Sequence, residues 1–162
     1  MDRIWAPWRM EYIAGSSKGG EKKCFLCIDE KDDDELLVIG RQGTAFVIMN
    51  KFPYTNGHLM IVPKRHVGSI EDLEEFEMLD MMRLVQKMTK IFKKEFNVDG
   101  INIGINIGRA AGAGLEDHIH IHVVPRWFGD TNFMAVIGET RVISEHIRET
   151  YRRLKEGFEK LF

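Results

Sequence analysis

Three histidines alternate with apolar residues in the run His118-Ile-His-Ile-His122. The whole chain has six histidines, so this short run holds half of them. Residues i, i+2 and i+4 of a β-strand share one face. We therefore expect His118, His120 and His122 to project together, with Ile119 and Ile121 facing the core. Such a row can ligate a metal ion. Alternatively, one imidazole can act as a nucleophile or general acid/base while the others set its tautomer.

Patterning along the rest of the chain predicts an α+β domain with a mainly antiparallel sheet. Apolar runs between Gly-, Asn- and Pro-rich turns, together with period-two alternation, predict five strands: Leu36–Ile39, Thr44–Met49, His58–Val62, Ile101–Ile107 and His118–Val124. A long amphipathic helix is predicted over Ser69–Phe96, opened by a capping box of Ser69 and Asp72. Its expected buried stripe is Leu73, Phe76, Leu79, Met82, Val85, Met88, Phe92 and Phe96. A second amphipathic helix is predicted from Arg141 onward.

Charge and length limit the classes of function. The 23 Lys and Arg residues nearly balance 25 Asp and Glu residues, which argues against a charge-driven nucleic-acid partner. No apolar run is long enough to span a membrane or to act as a signal peptide, so the prediction is a cytoplasmic protein without a membrane partner. We expect an aromatic arm and flexible connection over residues 1–23, followed by a single domain over residues 24–162 that includes the C-terminal helix.

Two cysteines, Cys24 and Cys27, form a C-x-x-C pair. A disulfide framework usually needs more cysteines and a secreted chain. The pair is therefore either a redox couple or half of a four-ligand zinc site.

The motif HIHIHVV resembles that of the histidine triad (HIT) superfamily of nucleotide hydrolases and transferases. The similarity extends to Asn50–Pro53, Gly57–His66, Asn106–Gly108 and the Pro-Arg pair at 125–126, and covers about residues 24–126. It implies a HIT-like fold. The segments IWAPWRMEYI, AGAGL and PRWFGDTNFM further resemble the bacterial branch that contains diadenosine tetraphosphate phosphorylases.

The resemblance implies a nucleotide-binding enzyme that cleaves the α-phosphoryl bond of adenine mono- or dinucleotides through a nucleotidyl-histidine. His122 occupies a position where fungal phosphorylases usually carry Gln, so inorganic phosphate and water both remain open as acceptors. Three alternatives also remain: a purine nucleoside phosphoramidate hydrolase, a slow-turnover nucleotide sensor, and a metalloprotein whose three histidines hold a catalytic metal.

The family also implies roles for individual residues. His120 is the expected nucleophile, and His122 and His58 are expected to stabilise developing charge. The expected substrate-binding residues are Asn50 at the ribose, Asn106 and the Gly108–Gly114 loop at the phosphates, Phe25, Leu26, Phe46 and Ile48 at the base, and Trp127 at a second base. The apolar members of this set are also compatible with ordinary core packing, and Trp127 with a place at a subunit edge.

Several bacterial members of the family bind zinc through a C-x-x-C pair and two histidines, and the resemblance implies a structural zinc site of this kind. In this chain its ligands would be Cys24, Cys27, His66 and His118. No organic cofactor is expected. The resemblance also implies a homodimer, with the Met-rich helix Ser69–Phe96 as a candidate interface, and leaves dimer and tetramer open.

Overall fold

A computed structural model of the chain describes residues 24–130 and 143–161. Among these residues, five strands form one antiparallel sheet in the order β1-β2-β3-β5-β4. The strands are β1 Val38–Gln42, β2 Ala45–Met49, β3 Leu59–Pro63, β4 Gly100–Gly104 and β5 Ile121–Arg126. The α-helices are α1 Asp33–Leu36, α2 Glu75–Glu95 and α3 Ile147–Glu159, and short 3₁₀ turns cover Glu30–Asp32, Ile70–Asp72 and Arg109–Ala111. The α+β prediction with its five-stranded antiparallel sheet is confirmed. The predicted arm over residues 1–23 lies outside the described residues.

The largest core cluster lies between the sheet and helices α2 and α3. Helix α2 contributes Leu84, Met88 and Phe92, all fully buried, to this cluster. A smaller cluster on the opposite face of the sheet contains Leu26 and Phe46. Strands β2 and β3 are therefore buried on both faces. His58 immediately precedes β3, and His122 on β5 pairs with Met60 of β3.

The predicted buried stripe of α2 is wrong in its first half. Phe76, Leu79 and Met82 are 57%, 51% and 50% exposed, respectively. A series spaced strictly by three residues rotates around an α-helix by about 60° at each step, so it cannot stay on one face. The residues that are buried follow three- and four-residue steps instead: Met81, Leu84, Val85, Met88, Ile91 and Phe92.

The predicted helix start is also wrong. Ile70–Asp72 form a separate 3₁₀ turn, Leu73 is extended, and Ser69 makes no side-chain cap. The capping box of α2 consists of Glu74 and Glu77. Arg65 holds Glu77 in place, because its Nε and Nη2 donate to the two carboxylate oxygens at 3.0 and 2.6 Å. This pair, in which Glu77 is buried and Arg65 is exposed, favours Glu74 over Ser69 as the N-cap.

Helix α3 lies tightly against the edge of the sheet. A Cβ at Gly40 on β1 would come within 2.1 Å of the Phe158 ring, so glycine permits this approach. His146 caps the helix, with its Nδ1 accepting from the Arg148 amide at 3.2 Å. The predicted start at Arg141 lies outside the described residues. No helix in the described ranges has the length and apolar character needed to cross a bilayer.

Several strand boundaries differ from the predictions. Strand β1 covers Val38–Gln42 rather than Leu36–Ile39, because Leu36 ends α1 and Leu37 adopts a left-handed backbone conformation before the strand begins. Strand β4 ends at Gly104 rather than Ile107, and β5 begins at Ile121 rather than His118. Before β5 the Ile119 amide donates to the Val67 carbonyl at 2.7 Å, instead of pairing with a neighbouring strand. The alternation of side chains nevertheless continues through this segment, because Ile119 and Ile121 both reach the main core.

Candidate active site

His120 is held by a hydrogen bond within the histidine run. Its Nδ1 lies 2.9 Å from the backbone oxygen of His118. A carbonyl can only accept, so Nδ1 carries the proton and donates it. The neutral ring then keeps a lone pair on Nε2, which is the requirement for a nucleophilic imidazole. His120 is 8% exposed, and burial lowers its pKa below the ordinary value.

His58 and His122 form a hydrogen-bonded pair whose protons can be assigned from their neighbours. The Tyr54 amide donates to His58 Nδ1 at 3.1 Å, so this nitrogen carries no proton. His58 Nε2 therefore donates to His122 Nδ1 at 2.9 Å. The remaining proton of His122 must then lie on Nε2. Both rings are neutral, and His122 presents an N–H donor at its outer nitrogen.

Burial favours the same protonation state of His122. It lowers the pKa of His122 to about 4, with a smaller electrostatic contribution from His120. The ring therefore remains neutral throughout the physiological pH range. Its contribution to the site is a hydrogen-bond donor, not a fixed positive charge.

Two asparagines flank this pair. The Asn106 side-chain amide lies 3.4 Å from His122 Nε2. Because Nε2 carries a proton, the hydrogen bond requires the amide oxygen of Asn106 on that side. Asn50 Oδ1 accepts from the Phe52 amide at 2.8 Å, and its Nδ2 lies 3.4 Å from His58 Nδ1. Asn50 thus bends the chain after β2 and contacts His58 of the hydrogen-bonded histidine pair.

A cavity of about 520 Å³ opens at His120 and His122. Of the predicted binding residues, Phe25, Ile48, Asn50 and Gly114 line it. The other lining residues are Leu36, Met49, Lys51, Phe52, Tyr54, Met60, Gly112 and Leu115. The wall is mainly apolar and has a few polar groups near the imidazoles, which is typical of a small-molecule site.

The other named binding residues do not line the cavity, although Asn106 contacts His122, which does. Leu26 and Phe46 are buried in the smaller core cluster. Gly108 does not line the cavity, and Trp127 donates from Nε1 to the Phe96 carbonyl at 3.2 Å. Sequence reasoning missed Lys51 and Tyr54. Their position directly after Asn50 in the turn before His58 was the available signal.

Cys24, Cys27, His66 and His118 meet on the side of the histidine run away from His122. Their potential ligand atoms all lie within 4.8 Å of one another. His118 Nε2 donates to the Pro63 carbonyl at 2.9 Å, which leaves the Nδ1 lone pair 3.3 Å from Cys24 Sγ. Tetrahedral zinc with these donors has ligand–ligand edges of about 3.3–3.8 Å. The donor set therefore fits zinc in its chemistry, and the Sγ–Nδ1 separations of 3.3, 3.3 and 3.8 Å match these edges.

The HIT domain model matches residues 31–129, and the chain belongs to this family. It is 38% identical over 161 residues to the AP-4-A phosphorylase of Mycobacterium tuberculosis strain H37Rv, covering 95% of this chain and 83% of that protein. It is 33% identical over 89 residues to the asymmetrical bis(5'-nucleosyl)-tetraphosphatase of Schizosaccharomyces pombe, covering 55% of this chain and 48% of the relative.

A solved structure shares the fold. A Zn-bound histidine triad family protein from Mycobacterium smegmatis superposes with a TM-score of 0.70 at 27% identity, covering 88% of this chain and 97% of that one. The family resemblance inferred from the histidine motif is therefore confirmed.

Proposed function

We propose that this protein cleaves diadenosine polyphosphates, with diadenosine tetraphosphate as the first candidate, through a nucleotidyl intermediate on His120. The observation that supports this most strongly is the tautomer of His120. Donation from Nδ1 to the His118 carbonyl leaves Nε2 as a nucleophile beside the cavity. Similarity to a phosphorylase and to a tetraphosphatase supports the choice of substrate.

In the proposed reaction, His120 Nε2 attacks the α-phosphorus in line, and the bond to the polyphosphate leaving group breaks. The acceptor then attacks the same phosphorus, and the P–N bond breaks with its electron pair returning to Nε2. In the proposed reaction His122 Nε2–H exchanges its contact with Asn106 for a phosphoryl oxygen and stabilises the negative charge that develops there. His58 acts on His122 by fixing its tautomer through the 2.9 Å hydrogen bond.

The remaining contacts define the proposed nucleotide pocket. Phe25, Ile48 and Asn50 all line the cavity, and we assign the two apolar residues to the base and Asn50 to the ribose. We assign Asn106, which contacts His122, and the loop that brings Gly112 and Gly114 to the cavity to the phosphates. Glycine amides in that loop can approach phosphate oxygens closely because no Cβ intervenes. Leu26 and Phe46 support the pocket from the core.

Zinc is part of the proposal as a structural ion. Cys24, Cys27, His66 and His118 would hold it, and a closed Cys₂His₂ set would leave no position for substrate. Phe25 lies between the two cysteines and lines the cavity. The ion would therefore cross-link the segments that carry its four ligands and stabilise one wall of the nucleotide pocket. Its role would be structural and not catalytic.

We also propose a homodimer in the cytoplasm. Phe76, Leu79 and Met82 are apolar residues of α2, and each is about half exposed. Strand β4 forms one edge of the sheet, and its residue Ile103 is 48% exposed. A second copy of the chain would cover such surfaces. Cys24 and Cys27 are both free thiols, which agrees with a reducing compartment.

The substrate proposal is tested by product analysis. The protein is incubated with diadenosine tetraphosphate, with and without inorganic phosphate, and products are identified by mass. We expect ADP and ATP in the presence of phosphate, and AMP and ATP when water is the acceptor. Absence of cleavage under both conditions would contradict the proposed function. Cleavage of adenosine phosphoramidate alone would favour the hydrolase alternative.

A further inference from the structure

Lys51 is distinctive among the cavity residues because of its charge. Of the described residues that line the cavity, all but Lys51, His120 and His122 have uncharged side chains. His122 is neutral, since its Nδ1 accepts from His58. His120 must also be neutral to act as a nucleophile. Lys51 is therefore the fixed positive charge on the cavity wall.

The local backbone also fixes the position of Lys51. Asn50 Oδ1 accepts from the Phe52 amide, which closes a tight turn with Lys51 at its corner. Two hydrogen bonds connect this turn to the histidine pair, because Asn50 Nδ2 and the Tyr54 amide both donate to His58 Nδ1. The backbone of Lys51 is thus fixed relative to His58 and His122, while its side chain is exposed. No ion pair within residues 24–130 and 143–161 engages its ammonium group.

A double displacement is favoured by such a charge on one side of the α-phosphorus. When His120 attacks in line, the leaving group departs from the side opposite Nε2. The acceptor must attack the nucleotidyl-histidine from that same side. One subsite therefore holds first the departing polyphosphate and then the incoming phosphate, and both are multiply charged anions. Water, the competing acceptor, gains nothing from a cation there.

We propose that Lys51 binds the phosphoryl groups beyond the α-phosphate and, after they leave, the inorganic phosphate that accepts the nucleotidyl group. This assignment rests on the proposed function. Lys51 would thereby favour phosphate over water as acceptor. In the second step a phosphate oxygen forms a bond to the α-phosphorus, the P–N bond breaks, and its electron pair returns to Nε2. The products are a nucleoside diphosphate and free His120.

Binding measurements with AMP and ATP distinguish a contact to the distal phosphates from a general effect on nucleotide affinity. Lys51→Met is placed on a His120→Ala background, so that no turnover occurs during titration, and dissociation constants are measured by calorimetry. We expect the affinity for ATP to fall about tenfold, the size typical of one lost charge-assisted contact at an exposed site. The affinity for AMP should stay within about twofold, because AMP has no phosphoryl group beyond the α position. Lys51→Arg should restore most of the ATP affinity.

The acceptor is tested with His120 intact. Lys51→Met should raise the KM for phosphate about tenfold and lower the ratio of ADP to AMP formed at a fixed, subsaturating phosphate concentration by a similar factor. That ratio depends only on how the nucleotidyl-histidine partitions between phosphate and water, whereas the lost contact to the departing polyphosphate slows cleavage with either acceptor. Lys90→Met is the matched control, since Lys90 is an exposed lysine on α2 and its removal changes the net charge equally. Equal weakening of AMP and ATP, or no change in either, would overturn the assignment.

The two proposals fail in different ways. A wild-type protein that does not cleave diadenosine tetraphosphate contradicts the proposed function, while the AMP and ATP titrations still decide whether Lys51 binds distal phosphates. A wild-type protein that cleaves it only with water overturns the acceptor role of Lys51 alone.

Discussion

Replacing His120 with alanine is expected to lower kcat/KM for diadenosine tetraphosphate by about 10⁴-fold or more, the size typical of a lost covalent nucleophile. The His120 side chain lines the cavity and is held by its hydrogen bond to the His118 carbonyl. The substitution therefore removes the attacking Nε2 and leaves the sheet in place. Steady-state kinetics measure the loss, and nucleotide binding by calorimetry should remain within about tenfold of wild type because the other pocket residues are unchanged.

His146→Ala is the matched control for this variant. His146 is a histidine remote from the cavity, at the N-cap of α3, where its Nδ1 accepts from the Arg148 amide. Its loss should cost about 1 kcal/mol of stability, the usual value of an N-cap, and leave kcat/KM near wild type. A His120→Ala protein that is folded and retains more than about a tenth of wild-type activity would exclude nucleotidyl transfer to this residue.

Replacing His66 with alanine is expected to abolish stoichiometric zinc binding and to lower the melting temperature. His66 Nδ1 lies 3.3 Å from Cys27 Sγ and completes the four-ligand cluster. Loss of the ion should cost about 3 kcal/mol, since a bound metal stabilises only the folded state. For a domain of this size that corresponds to roughly 6–12 °C. Metal content by mass spectrometry and thermal unfolding with and without chelator provide the two measurements.

The comparison between two exposed histidines makes this test specific. His66 and His146 are both exposed, but only His66 belongs to the cluster. Chelation should lower the melting temperature of wild type and of His146→Ala by similar amounts and leave His66→Ala unchanged. A wild-type protein purified without zinc that also gains no stability when zinc is added would contradict the zinc proposal.

The sequence predicted those parts of the fold and site that depend on a local period or a short motif. Alternation alone placed Ile119 and Ile121 in the core, because a period of two has only one alternative face. The meeting of Cys24 and Cys27 with His66 and His118 also agrees with the structure, although there it was the family resemblance that connected distant segments.

Predictions failed where tertiary contacts decided between locally similar options. Ser69 with Asp72 and Glu74 with Glu77 both offer capping chemistry, and only the folded position of Arg65 favours the second. Phe76 and Leu79 were placed in the core because spacing cannot show which apolar face of a helix meets the sheet. Lys51 was missed because the cavity wall depends on how the turn after β2 folds back toward His58.

The stereochemical course at phosphorus tests the nucleotidyl-histidine most directly. Diadenosine tetraphosphate with a sulfur of known configuration on one α-phosphorus is cleaved with inorganic phosphate, and the configuration of the resulting ADP α-thiophosphate is determined. Two in-line displacements, first by His120 Nε2 and then by phosphate, each invert the centre, so we expect overall retention. Inversion would show a single direct displacement by phosphate and would contradict a covalent intermediate on His120.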